Sequence, residues 1–208
     1  MTPTSVDDRV AWLETQLAES QDNTSVVLRT TKVLDHASTR VEAASGAITT
    51  VLECFHWGVG AYWNLEDDDT LRVAAQCGSR TEAVHWPVGE SARSSVVDRA
   101  RQSRALVFDE VRVEDGPRMA AAARAGWVSV LAFPIVTRGK VAGVMEFFAP
   151  KLDLPLGAER LESLESVQQL LSIGFVRLEN LEQSSRLHAA INGASNALML
   201  CDREFRVV

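Results

Sequence analysis

The cysteines are the residues of this chain best suited to redox chemistry. The sequence of 208 residues contains three, Cys54, Cys77 and Cys201, and no two of them form a CxxC pair. This odd, scattered set predicts neither a disulfide framework nor a zinc site, and it fits a reducing cytoplasm. Cys77 is the redox candidate, because it ends a predicted strand beside Gly78, where an exposed thiolate would react. The competing interpretation is a small, half-buried apolar side chain.

Histidine is the second residue type that could hold a cofactor. His85 is the candidate among four histidines, and Trp86 follows it directly. Neutral imidazole is a common ligand of haem and of metal ions, but no companion residue stands at ligand spacing. Haem ligation by His85 is therefore the minor interpretation, and an ordinary hydrogen-bonded histidine is the main one. The sequence names no other cofactor and predicts no metal site.

Nucleophiles and phosphate-binding residues do not form a catalytic pattern. Ser94, Ser95 and Asp98 share a predicted helix without a histidine placed to act as their base. The sequence contains neither a glycine-rich phosphate loop nor an HExxH motif. On these absences the sequence predicts that the chain is not an enzyme.

Composition excludes two classes of partner. The formal net charge is −7, with 46% hydrophobic and 24% charged residues, as in ordinary globular proteins. A negative chain without a Lys/Arg cluster predicts no nucleic-acid surface. No apolar run approaches the roughly 20 residues of a membrane-spanning helix, and no signal peptide begins the sequence. We therefore expect a cytoplasmic protein without membrane insertion in this chain.

Two long helices are predicted at the ends of the chain. The first runs from Ser5 to about His36, and the second begins at about Gly157. Apolar residues recur every three or four positions in both, which is how helices pair in coiled coils. The alternative is that each helix packs on its own domain. The pairing interpretation predicts a homodimer with these interface residues: Val6, Val10, Leu13, Leu17, Leu171 and Leu178.

Between these helices the pattern alternates between helix and strand. Residues 41–55 predict a helix with one apolar face, and residues 58–75 predict a hairpin around an acidic turn. A helix ending near Ser103, a short strand over 105–108 and an alanine-rich helix over 119–125 follow. Two runs rich in β-branched residues then flank the turn at 137–140, where Gly139 can adopt the positive φ of a tight hairpin.

Three segments carry a family resemblance. They are Trp86–Glu90 (WPVGE), Ala105–Val111 (ALVFDEV) and the hairpin from Val128 to Phe148. Their order resembles the GAF domain, a small-molecule sensory module, over roughly residues 41–181. The resemblance implies an α/β (α+β) fold with a central antiparallel sheet and flanking helices. The long N- and C-terminal signalling helices would lie on one face, and a ligand pocket on the other.

The same resemblance proposes pocket residues. In the family's layout the pocket would be lined by Tyr62, His85, Trp86, Phe108, Met119, Trp127 and Met145. An aromatic pocket could take a flat ring or a quaternary ammonium group, and an equally plain interpretation is a filled core. The ligand is an unidentified small molecule. A redox enzyme resembling free methionine sulfoxide reductases ranks last, because those enzymes need several closely placed cysteines.

The resemblances divide the chain into three parts. Residues 1–36 form a dimerisation helix, 37–182 the GAF-like sensory domain, and 183–208 a linker helix with a truncated PAS-like start. The phrase Ala197–Asp202 (ALMLCD) resembles PAS openings in methyl-accepting chemotaxis receptors. We therefore expect a cytoplasmic sensory module that relays a ligand or redox signal to downstream domains of a chemoreceptor. A histidine kinase, or a ligand-free structural dimeriser, is the alternative.

Overall fold

Five strands and five helices make up the described part of the chain, which covers residues 5–78, 96–150 and 156–193 of this computed structural model. The helices are α1 Val6–His36, α2 Arg40–Phe55, α3 Val96–Ser103, α4 Pro117–Arg124 and α5 Ala158–Gly193. The strands are β1 Val59–Leu65, β2 Leu71–Gly78, β3 Val107–Glu110, β4 Ser129–Thr137 and β5 Lys140–Ala149. A short 3₁₀ turn, Val113–Asp115, precedes α4.

The strands form one antiparallel sheet in the order β2-β1-β5-β4-β3. Its centre is the long β4–β5 hairpin, with β1 joined to the other edge of β5. The hairpin turn is two residues long, and both Arg138 (φ 48°) and Gly139 (φ 77°) have positive φ. This is the backbone that a tight hairpin requires, so the turn predicted at Gly139 is confirmed. The predicted mixed fold with a central antiparallel sheet is confirmed as well.

The two faces of the sheet are covered differently. We use "helix layer" for α1, α2, α5 and the sheet face that they cover, and "far face" for the opposite side, under α3 and α4. Apolar residues separate into one buried cluster on each side. Because side chains alternate along a strand, neighbours in sequence enter different clusters. The sheet is therefore a partition between two separately packed regions.

The helices α1 and α5 run parallel within the helix layer. Leu34 of α1 lies against Gly174 of α5, where an added Cβ would come within 2.7 Å of the Leu34 side chain. Nearer the helix starts, Asp22 of α1 and Arg160 of α5 line one cavity. The Arg177 guanidinium donates hydrogen bonds to the carbonyls of Leu34 and Ala37, at the C-terminus of α1. A cation at this position also interacts favourably with the negative end of the helix dipole of α1. Arg177 therefore holds the end of α1 against α5.

The structure corrects one part of the predicted dimer interface. Leu171 and Leu178 are buried in the helix layer, within the same chain. Their stripe faces the sheet and α1, because an apolar helix beside an apolar sheet buries its widest face there. These two leucines are therefore not available to a second chain. Val6, Val10, Leu13 and Leu17 are exposed, and their role stays a prediction.

Several predictions fall on residues that the structure does not describe. His85, Trp86 and Cys201 lie outside the described residues, and so does the PAS-like phrase at 197–202. The division at residue 183 stays a prediction. Among the helices of the described ranges, none combines the length and the apolar character needed to cross a membrane.

Candidate functional site

A buried carboxylate marks the far face of the sheet. Glu146 lies in the middle of β5 and is 0% exposed. The indole Nε1 of Trp63 donates a hydrogen bond to its Oε2 at 2.9 Å, and Arg118 donates one to its Oε1 at 2.7 Å. The Arg118 guanidinium also lies over the Trp63 ring, 4.7 Å from its centroid. We call these three residues the Glu146 cluster.

The local sequence explains how this cluster fits beneath two short helices. Glu146 is paired in register with Ala61 on β1 and with Ala132 on β4. These small neighbours leave room above the sheet for the carboxylate and the guanidinium. Arg118 is held in the first turn of α4, which begins with Pro117 after Gly116. Proline is favoured at this first helical position, so the helix start that presents Arg118 is set by local sequence.

Burial and hydrogen bonding act in opposite directions on Glu146. Loss of hydration raises the pKa of its carboxyl group, while the Arg118 charge and the Trp63 hydrogen bond lower it. Burial has the larger effect, and the pKa lies above its ordinary value. Buried ion pairs are costly to form and add little to stability compared with apolar packing. A carboxyl group kept there with a shifted pKa is therefore a candidate functional group.

Two of the predicted pocket residues lie on the far face. Met119 and Trp127 are buried in its apolar cluster. The Trp127 ring packs directly over Gly58, where an added Cβ would come within 1.8 Å of the indole. The Trp127 Nε1 is buried, and no residue within the described ranges accepts its hydrogen bond. Their placement agrees with the prediction, while contact with a ligand stays a prediction.

Three other predicted pocket residues are on the wrong side of the sheet. Tyr62, Phe108 and Met145 pack in the helix layer instead. The Tyr62 ring meets Phe175 of α5 edge to face, with ring centroids 5.5 Å apart. Side chains alternate between the two faces of a sheet, so the predicted facing of these strands is wrong by one residue. The next residues along, Trp63 and Glu146, are the ones that point to the far face.

Cys77 also lies on the helix side rather than in the Glu146 cluster. It is half-buried and donates a weak hydrogen bond from Sγ to the carbonyl of Ser45 on α2, at 3.7 Å. It lines a cavity of about 270 Å³ together with Trp57 and Gly78. Cys54 is the other cysteine in the described ranges and is buried. Burial raises the pKa of the Cys54 thiol, against the opposing effect of Arg29.

The residue that sequence reasoning missed is Glu146. The run from Lys140 to Ala149 was interpreted as a plain apolar strand, although it holds a glutamate between Met145 and Phe147. A charged residue inside a fully buried strand is rare enough to be the signal. Arg118 is distant from Glu146 in the sequence, and no sequence pattern pairs the two. Within the described residues, no three His, Cys, Asp or Glu side chains come together as a metal site.

Comparisons with known proteins agree on the fold. A family model described as GAF domain matches residues 37–176. The chain resembles the free methionine-R-sulfoxide reductase of Neisseria meningitidis, solved with its substrate, at 16% identity and a TM-score of 0.60, covering 76% of this chain and 91% of that one. It resembles the GAF domain of a two-component sensor histidine kinase from Bacillus halodurans at 18% identity and a TM-score of 0.56, covering 72% and 99%.

A third solved structure is the GAF domain of a phosphoenolpyruvate-protein phosphotransferase from Acinetobacter. It is 14% identical, has a TM-score of 0.59, and the match covers 77% of this chain and 97% of that one. No curated protein matches the chain significantly. At these identities the structural matches show the fold alone.

One of these matches corrects the prediction that the chain is not an enzyme. That prediction rests on missing catalytic motifs. The Neisseria reductase has a similar fold and is an enzyme. The fold therefore gives no ground for excluding catalysis, and the prediction is wrong.

Proposed function

Because this chain belongs to the GAF domain family, we propose that it is a sensory and dimerisation module of a signal transduction protein. In this proposal a small molecule binds on the far face, beside the Glu146 cluster. The helix layer then passes the change to the partner helices and to downstream domains. Family membership supports the sensory role, and the buried polar cluster supports the position of the site.

One observation carries the proposal: two consecutive residues of β1 make contacts on opposite sides of the sheet. Trp63 hydrogen bonds to Glu146 on the far face, and Tyr62 packs against Phe175 of α5 in the helix layer. A ligand that displaced Trp63 would therefore tilt the strand that supports Tyr62. Packed interiors respond to such strain by rearranging rather than by stretching. The geometry thus gives a direct path of contacts from the far face to α5.

The side chains of the far face indicate a polar ligand. Glu146 accepts hydrogen bonds, Arg118 carries a positive charge, and Trp127 holds a buried N–H donor. A small molecule with both donor and acceptor groups beside an apolar part would complement this set. Its acceptor group would meet the Trp127 N–H, which otherwise stays buried at a cost. A redox signal sensed by half-buried Cys77 is the competing input.

The resemblance of residues 197–202 to a PAS opening is the basis for proposing which type of signalling protein contains this module. It favours a cytoplasmic chemoreceptor, with a histidine kinase as the alternative. The alternative without a ligand is a structural dimeriser, and a specific observation favours it. Trp63 and Glu146 are both fully buried by the chain's own residues, as in a filled core.

Native mass spectrometry of the purified chain tests the proposal first. A retained small molecule would identify the ligand class, and a panel of amino acids, organic acids and nucleotides would follow if the chain is empty. Binding to the wild type should be lost in Glu146→Gln and kept in Glu53→Gln. The second variant is the matched control, because Glu53 pairs with Arg29 on the exposed surface of α2.

Hydrogen exchange then tests the relay. Ligand should change amide protection in α5 around Phe175 as well as on the far face. Binding without any change in the helix layer would contradict the relay. A chain that binds nothing in the panel would favour the structural dimeriser. Turnover of free methionine sulfoxide that is lost in Cys77→Ser would replace the sensory proposal with a catalytic one.

A further inference from the structure

The N-terminal half of α1 is a helix without cover from the described residues. Every residue from Ser5 to Ser20 is exposed, although the helix continues unbroken to His36. A capping box closes its start, in which Ser5 and Asp8 satisfy each other's backbone N–H groups. This half extends a helix that is packed further along, but its own turns bury no apolar surface within the chain. A helical partner would cover them.

Four of the five large apolar residues exposed in this half form one line along the helix, and the fifth, Trp12, lies on another side. We call Val6, Val10, Leu13 and Leu17 the α1 seam; their exposed fractions are 77%, 48%, 57% and 61%. At about 100° per residue, the seam lies roughly 140° around the axis from the line of Asn23, Val26 and Thr30. That second line is buried within the chain. The α1 seam is therefore a separate surface from the one that packs on the domain.

The spacing of the α1 seam assigns heptad positions without ambiguity. Val10 and Leu13 are three residues apart and take positions a and d, so Leu17 is the next a and Val6 the preceding d. Val10 at a and Leu13 at d are the combination that favours two-stranded pairing, whereas Leu17 at a and Val6 at d depart from it. Arg9 then occupies position g, and Glu14 occupies position e.

Charge complementarity selects the orientation of the partner. In a parallel pair, a residue at g faces the residue five positions later, at e, on the other helix. Arg9 and Glu14 have this spacing and opposite charge, so two equivalent ion pairs would form. An antiparallel pair would place e positions opposite each other, and these are the acidic Asp7 and Glu14.

We propose that the α1 seam binds the same seam of a second copy of this chain, in parallel and in register, with Arg9 of each copy paired to Glu14 of the other. The inference deepens the dimer of the proposed function and rests on that part alone. It places both Leu13 side chains opposite each other at the centre of the pair. The two domains would then leave the paired segment on the same end.

Disulfide trapping tests the orientation on the full chain. Leu13→Cys should form a dimer linked between the two introduced cysteines under mild oxidation, identified by mapping the linked peptide with the native cysteines in place. Ala11→Cys is the matched control, because Ala11 lies on the exposed side away from the seam and should not link. Linkage of Leu13→Cys to Val10→Cys in a mixed sample, without the Leu13 homodimer, would show antiparallel pairing and overturn the proposal.

Charge reversal tests the register by sedimentation equilibrium at low salt. Arg9→Glu alone should raise the dimer dissociation constant about tenfold, since both ion pairs become repulsive. The double variant Arg9→Glu/Glu14→Arg should return within about twofold of the wild type. Equal weakening by the single and double variants would overturn the register. These residues are remote from the Glu146 cluster, so either result leaves the ligand test intact.

Discussion

The two faces of the sheet are built on different principles. The helix layer is apolar across its centre, where the ring of Tyr62 packs on that of Phe175 and the ring of Phe133 packs on that of Phe147. The far face has an apolar cluster of its own, but it also holds the charged Glu146 cluster beneath α4. Apolar packing is the dominant source of folding free energy, whereas a buried ion pair adds little. We infer that the helix layer holds the fold and that the far face is specialised.

The strongest test of this comparison is to remove packing from the helix layer. Phe175→Ala should lower the free energy of unfolding by about 4 kcal/mol, because it deletes a buried ring and leaves a cavity beside Tyr62. Chemical denaturation would measure it. Ile173→Ala is the matched control on the exposed side of α5 and should change stability by less than about 0.5 kcal/mol. Similar effects for both variants would contradict the division of roles.

Removing the cation of the Glu146 cluster should lower the free energy of unfolding by less than Phe175→Ala does. The cause is also different, because a buried charge loses its partner and no cavity in the helix layer is involved. Arg118→Met should lower the unfolding free energy by about 3 kcal/mol, because it leaves a buried carboxylate without its cation. The double variant Arg118→Met/Glu146→Met should recover most of that loss in the same denaturation assay, since no charge remains. If the double variant is no more stable than the single one, the cluster is structural and the far face is not specialised.

The close approach of α1 to α5 offers a smaller test within the helix layer. Gly174→Ala should lower the unfolding free energy by about 1 kcal/mol, because the new Cβ would meet the buried Leu34 side chain at 2.7 Å at a cost larger than the gain of alanine over glycine in a helix. A parallel Gly157→Ala variant, at a site with open space around the glycine, should be tolerated. Thermal unfolding of the pair would show a lower melting temperature for Gly174→Ala alone. Equal melting temperatures would mean that the two helices can separate without cost.

The smallest expected effect is on the pH dependence of the unfolding free energy, where Glu146 and Asp109 should act with opposite sign. Burial raises the pKa of Glu146, so the folded chain holds its proton to higher pH than the unfolded chain. The stability of wild type relative to Glu146→Gln should therefore fall as pH rises from about 4.3 through the raised pKa. Denaturation at a series of pH values measures this difference.

Asp109 provides the opposite case for the same experiment. Burial raises its pKa, but hydrogen bonds from Arg99 and the Glu110 amide outweigh burial, and the pKa is lowered. The stability of wild type relative to Asp109→Asn should therefore be lost as pH falls through the lowered pKa and restored above the ordinary one. The same sign for both variants would contradict the environment assigned to Glu146.

Local features of this fold were predictable from sequence, and the facing of its strands was not. The β4–β5 turn depends on two residues, Arg138 and Gly139, and on their own backbone preferences. Whether Tyr62 or Trp63 points to the far face depends instead on pairing with β5, which is more than 80 residues away in sequence. An irregularity in the β1–β2 register falls between these same two residues. A one-residue error in phase therefore exchanged the two faces.

The candidate site was only partly visible in the sequence for a related reason. Met119 and Trp127 lie on the far face that the family layout implies, and their contact with a ligand stays a prediction. Glu146 was overlooked because an ion pair needs its partner to be known, and Arg118 approaches from a separate short helix. Leu171 and Leu178 show the same problem in α5, since one apolar stripe is consistent with a partner chain or with the chain's own sheet.

At the Arg177 contact, α1 and α5 overlap side by side. Helix α1 ends where the guanidinium donates to the carbonyls of Leu34 and Ala37, while α5 continues past that point. A slip of α1 by one residue would shift α1 about 1.5 Å along its axis and turn it about 100° relative to α5. The side chain of Leu34 against Gly174 blocks that slip. The overlap therefore preserves the rotational phase of the two helices, and in the proposed sensory role a signal would bend or rotate the overlapped pair as a unit.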